Sequence, residues 1–68
     1  MSYSNEKVNL IWLVSLLQER SVPYEVIIDT WKGLNKLNIL TTVYLRFFRM
    51  EELVESGIPL PISRFLLS

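Results

Sequence analysis

"TTVYLRFFRMEELVESGIPLP", residues 41–61, is the stretch on which the fold turns. It opens on two threonines and closes on Gly57, with Pro59 just beyond. A threonine hydroxyl can accept from an otherwise unpaired backbone N–H at a helix start. Glycine takes the left-handed conformation just past a helix end, and proline prevents continuation. The stretch therefore predicts one long helix from Thr41 or Thr42 to about Ser56. Val43, Phe47, Met50 and Val54 fall on one stripe at helical spacing, and Leu45, Phe48 and Leu53 widen it. Glu51, Glu52 and Glu55 lie near the C-terminus, where the helix dipole disfavours acid by a few tenths of a kcal/mol. Their expected task is solubility. Such a helix is either a groove reader or the longest member of a packed bundle.

Upstream, "SVPYEVIIDTWKGLN" (21–35) predicts a second helix. Ser21 with Pro23 makes a helix start, because the missing proline N–H is no loss in the first turn. Tyr24, Ile27, Ile28, Trp31 and Leu34 follow helical spacing, with Glu25, Asp29 and Lys32 on the opposite side. Gly33 is the expected terminator, and "NKLNI" (35–39) the connection. A first helix is expected over Asn5–Arg20, capped by Ser4. Leu10, Leu13, Val14 and Leu17 form one stripe, and Val8, Trp12 and Leu16 a second. A helix apolar over so much of its circumference is central or is covered by another subunit. Downstream, "IPLPISRFLLS" (58–68) carries two prolines and reads as an extended C-terminal arm, with "ISRFLLS" open to an edge strand or a short final helix.

The chain has 68 residues and reads as a single domain, 1–68, with no linker and no internal repeat. A core this small rarely supplies more than about 3–5 kcal/mol. There is no cysteine and no histidine, which removes disulfides, Cys/His zinc sites and the commonest general base. Glycine is too scarce for a phosphate-cradling loop. No catalytic residue, metal ligand, cofactor or small-molecule substrate is expected, and the chain does not read as an enzyme. "VNLIWLVSLL" (8–17) is shorter than the roughly 20 residues of a membrane span and lacks signal-peptide flanks; a cytoplasmic location follows by default. Apolar residues make up 50% of the chain and mean hydropathy is +0.28, more than so small a domain hides easily. A partner chain is the natural place for the surplus.

Taken together, the elements predict an all-α, compact three-helix domain of helix-turn-helix form with a short extended C-terminal arm. Their order resembles the winged helix-turn-helix superfamily. Tyr24–Glu25–Val26–Ile27 stand at its positioning-helix motif, Gly33–Leu34–Asn35 at its turn, and Thr42–Val43–Tyr44 at the cap of its recognition helix. "MEELVESGI" (50–58) resembles the helix end that leads into the wing. The sequence departs from that pattern in a longer turn, a longer third helix and a wing cut short by prolines. A plain trihelical bundle with the same arm is the alternative.

The resemblance implies that the third helix lies in a major groove with its N-terminal residues towards the bases. Those would be Thr41, Thr42, Tyr44 and Arg46, with Lys32, Lys36, Arg49 and Arg64 as phosphate contacts. Arginine stems among phenylalanines also serve simply to cover apolar surface. Trp12, Trp31, Tyr44, Phe47, Phe48 and Phe65 could stack on bases, although most fall on core stripes. Lys+Arg and Asp+Glu are equal at 7 each, so any DNA contact is expected to be weak and salt-sensitive. The reading is thus an accessory or regulatory protein in a nucleic-acid setting, bound to a larger protein or to itself as a homodimer. The competing reading is a pure protein-binding adaptor or inhibitor. For either, Trp12, Leu16, Pro59, Leu60, Pro61, Ile62, Phe65 and Leu66 are the expected partner-binding residues.

Overall fold

A computed structural model describes residues 5–68, and these form an all-helical globule of 26 × 25 × 19 Å. Helix α1 spans Leu10–Gln18 and α2 Tyr24–Lys36; a 3₁₀ helix covers Thr42–Phe47; α3 spans Met50–Glu55 and α4 Leu60–Leu67. Helix α1 packs on α2, α3 packs on α4, and α4 also touches the 3₁₀ helix. No helix of the described residues is long and apolar enough to cross a membrane.

Helices α1, α2 and α3 end in the same way. Ser21 N–H donates to the Gln18 carbonyl (3.0 Å) and Val22 N–H to that of Leu17 (3.2 Å). Asn38 and Ile39 do the same to Asn35 and Leu34, and Gly57 and Ile58 to Val54 and Leu53. This is the Schellman arrangement, in which one left-handed residue turns the chain and the next, apolar, seals the end. The left-handed residues are Ser21 (φ 59°), Asn38 (φ 58°) and Gly57 (φ 109°). Pro23 and Pro59 follow one residue after the seal, and α2 and α4 start immediately behind them. The α1–α2 and α3–α4 hairpins are therefore built on one local plan, although no repeat is expected from the sequence.

Several sequence expectations need correction. Ser21 closes α1 rather than opening α2. Gly33 does not end α2; it lies inside it, where a Cβ would come within 2.6 Å of Ile58 Cγ1 and 2.8 Å of Ser56 Oγ. Glycine is there so that α2 can approach the α3–α4 turn, and Asn38 takes the terminating role. Helix α1 starts at Leu10, capped by the Asn9 side chain accepting from Trp12 N–H at 2.8 Å; Ser4 lies outside the described residues. Residues 6–8 instead pair with 40–42, through Val8 N–H to Leu40 O and Thr42 N–H to Glu6 O, both 2.9 Å. The C-terminal segment is not an extended arm: the two prolines occupy the cap and first turn of α4, where neither lost N–H is missed.

The largest difference is in residues 41–56. The single helix expected there is divided, with Phe48 (φ −113°, ψ 145°) and Arg49 (φ −88°, ψ 157°) extended between the 3₁₀ helix and α3. β-Branched and aromatic residues such as those of "TTVYLRFF" are mediocre α-helix formers. Thr42 and Leu45 are buried and Phe48 half-buried, a spacing of three that suits 3.0 residues per turn. A continuous α-helix from Thr42 would carry the buried stripe on towards Arg46 and Arg49. Helix α3 restarts with the Glu52 carboxylate accepting from Arg49 N–H at 2.9 Å.

The core draws on every element: Leu13 and Leu17 from α1, Ile27 and Leu34 from α2, Leu45, Leu53, Ile62 and Leu66, with Ile39 and Ile58 from the turns. Its buried hydroxyls are satisfied. Thr30 Oγ1 donates to Val26 O (2.8 Å), Ser63 Oγ donates to Ile58 O (3.2 Å), and Thr42 Oγ1 accepts from Glu6 N–H (3.0 Å).

Candidate functional site

Most of the stripe that periodicity assigns to the core of the third helix faces outward: Phe47 is 74% exposed, Val43 41% and Val54 38%, while Met50 is half-buried. Tyr44, which lies off that stripe, is also exposed. The cause is the change of helix type. Once Thr42, Leu45 and Phe48 point inward at three-residue spacing, Val43, Tyr44 and Phe47 are left on the other sides of the 3₁₀ helix. In such a helix i and i+3 eclipse, which brings the Tyr44 and Phe47 rings to 6.5 Å between centroids, tilted by 47°. Leu40, also exposed, precedes them. Arg46 and Arg49 are exposed within the same segment, so this is an apolar strip with cationic neighbours.

Directly after it in the chain, Met50 and Val54 of α3 and Leu60 at the start of α4 line an open groove of about 300 Å³ with an almost wholly apolar surface. Glu51 and Glu55 complete its lining. One turn apart along α3, they lie on the same side of the helix, so two glutamates border an otherwise apolar groove. A shallower depression of about 220 Å³ is lined by Trp12, Ser15, Leu16 and Glu19 on α1. Ile11, on the same helix, is 79% exposed.

The residues singled out from the sequence are dispersed. Of the expected base-facing set, Tyr44 and Arg46 are exposed, Thr41 is half-buried in the pairing with Lys7, and Thr42 is buried. Thr42 is a structural hydroxyl: it ties residue 6 to the 3₁₀ helix and cannot reach a base. Lys32 and Lys36 are exposed on one side of α2, and Arg64 is exposed on α4. Of the expected partner-binding set, Ile62 and Leu66 are core residues, because a helical rather than extended tail turns one side of itself inward. Phe65 is half-buried beneath the Arg20 guanidinium, whose Cζ stands 3.9 Å from the ring centroid. Trp12 is half-buried with its indole N–H donating to the Glu6 carboxylate at 2.7 Å. Leu16 and Pro59 are half-buried, while Leu60 and Pro61 are exposed.

Val43, Phe47 and Val54 are the surface residues that helical periodicity misplaces. No local signal in the sequence identifies them, since the α-helical stripe through Val43, Phe47, Met50 and Val54 leaves Arg46 and Arg49 out of the core just as the three-residue spacing of Thr42, Leu45 and Phe48 does. Among the described residues no group of three His, Cys, Asp or Glu side chains is placed to hold a metal ion. Compared with protein families, curated proteins and solved structures, the chain finds no match.

Proposed function

We propose that the chain is a small non-enzymatic accessory or regulatory protein that acts mainly by binding a partner protein. The observation that carries this reading is the outward placement of Val43, Tyr44 and Phe47 on a six-residue 3₁₀ helix. Fully burying one such apolar side chain is worth about 1.5–3 kcal/mol, so a partner recovers free energy that folding leaves unused. Tyrosine, phenylalanine and arginine are also the residues enriched at the centres of protein interfaces. The test is a photo-cross-linking residue at position 47 of the full chain in its own cells. Discrete protein adducts that disappear when Tyr44→Asp is added support the reading. Absence of any adduct, with the protein present and folded, removes it.

A second reading adds weak DNA contact. It is favoured by the exposure of Lys32 and Lys36, one turn apart on α2. With no net charge, the chain would make such contact only as an auxiliary to protein binding. Fluorescence anisotropy with mixed-sequence duplex at about 50 mM salt should then show binding that charge reversal at Lys32 and Lys36 abolishes. A flat titration takes DNA out of the reading and leaves the protein-binding role intact.

A further inference from the structure

We infer that the partner is a second copy of this chain, each chain seating the 3₁₀ strip in the α3–α4 groove of the other. The inference rests on the protein-binding reading above and names its occupant. The two surfaces are complementary in kind and in sign. The strip offers apolar Val43, Tyr44 and Phe47 with Arg46 and Arg49 beside them; the groove offers Met50, Val54 and Leu60 with Glu51 and Glu55. Strip against strip would set arginine facing arginine, and groove against groove glutamate facing glutamate. Strip against groove pairs opposite charges and covers exposed apolar surface on both sides, the combination that gives an interface both register and affinity.

The order of the chain supports a reciprocal pairing. Basic residues 46 and 49 precede acidic residues 51 and 55, with the change of sign falling between Arg49 and Glu51. Two copies related by a two-fold axis near that point set each basic half against the other's acidic half. A contact of this kind is self-complementary and closes at two chains. Seven positive and seven negative side chains leave no net charge, so no long-range repulsion opposes association. A stable interface takes about 800 Å² from each partner, less than a fifth of the 4547 Å² that the chain exposes.

The experiment is sedimentation equilibrium on the full chain over roughly 1–500 µM, with circular dichroism to confirm that each variant keeps the helical fold. The wild-type protein should be a dimer whose dissociation rises with salt. The double variant R46E/R49E sets acid against the acidic groove, and E51K/E55K sets base against the basic strip. Each alone should weaken the dimer about tenfold or more. Mixed in equal amounts, they should restore it as a one-to-one heterodimer, because both of its contacts again join opposite charges. A monomer at every concentration, a dimer indifferent to both variants, or a mixture that fails to recover overturns the inference. A monomeric chain that still cross-links from position 47 to a different protein overturns only the identity of the occupant. A monomeric chain that makes no cross-link takes the protein-binding reading with it.

Discussion

Gly33 is a point where α2 lies directly against the α3–α4 turn. In an exposed helix interior, Gly→Ala is favourable by roughly 1 kcal/mol, so intrinsic propensity predicts that Gly33→Ala stabilises the protein. The surroundings reverse the sign. The added Cβ would lie 2.6 Å from Ile58 Cγ1, and Ile58 is buried in the core. Ser56 Oγ, at 2.8 Å, is held by its own hydrogen bond to Leu53 O. Gly33→Ala should therefore lower stability by about 1–3 kcal/mol, the usual cost of overpacking; an unchanged or raised urea midpoint would show that α2 and the α3–α4 turn are farther apart. Ser21 presents the opposite case. It holds φ 59°, a conformation that costs residues with a Cβ about 1–2 kcal/mol, and its side chain is exposed. Ser21→Gly should raise stability by about 0.5–1 kcal/mol. A loss on the same measurement would remove the left-handed turn from the end of α1.

At the scale of elements, the two helix registers for residues 42–48 make opposite demands on Phe47. A continuous α-helix with the Val43–Phe47–Met50–Val54 stripe inward makes Phe47 a core residue. The 3₁₀ helix makes Leu45 the core residue, 2% exposed, and leaves Phe47 in water. Leu45→Ala should cost about 2–5 kcal/mol, while Phe47→Gln should stay within about 0.5 kcal/mol of the wild-type chain at concentrations where it is monomeric. Equal losses at both positions would favour the α register. Helix class was legible in the sequence where an apolar stripe was regular, as in α1, and Gly57 marked a helix end as expected. It was not legible where two residues competed for one role. Asn38 and Gly33 both suit a helix end, and only the nearness of Ile58, a residue of another hairpin, decides between them. Pro59 and Pro61 exclude a helix interior but are equally at home in an extended arm and in a first helical turn; the burial of Ile62 and Leu66 selects the latter. The candidate surface was hidden for the same reason, since Phe47 and Leu45 differ in environment through contacts distant in sequence rather than through anything local.

In the whole molecule, two hairpins that share one turn design bury a single core, and neither hairpin holds enough of it to stand alone. Leu17, Ser21, Val22 and Pro23 recur in role as Leu53, Gly57, Ile58 and Pro59, and each set fixes how its two helices meet. The α3–α4 hairpin is the weaker by length, with six residues in α3 and eight in α4, too short to be helical without tertiary packing. What holds it is the inward side of α4, where Ile62 and Leu66 join Ile58 and the hydroxyl of Ser63 bonds back to Ile58 O. Ending the chain after Gly57 would remove all four. An extended, partner-seeking arm could be lost while the remaining domain stayed folded. Here each of the three aliphatic residues contributes on the order of 2–5 kcal/mol, and a domain of this size has about 3–5 kcal/mol in total. The truncated chain should therefore lack a cooperative thermal transition and lose most of its helical circular dichroism, α1 and α2 included. A shortened chain that still melts cooperatively would show that residues 1–57 form a self-sufficient core and that α4 is an accessory to it.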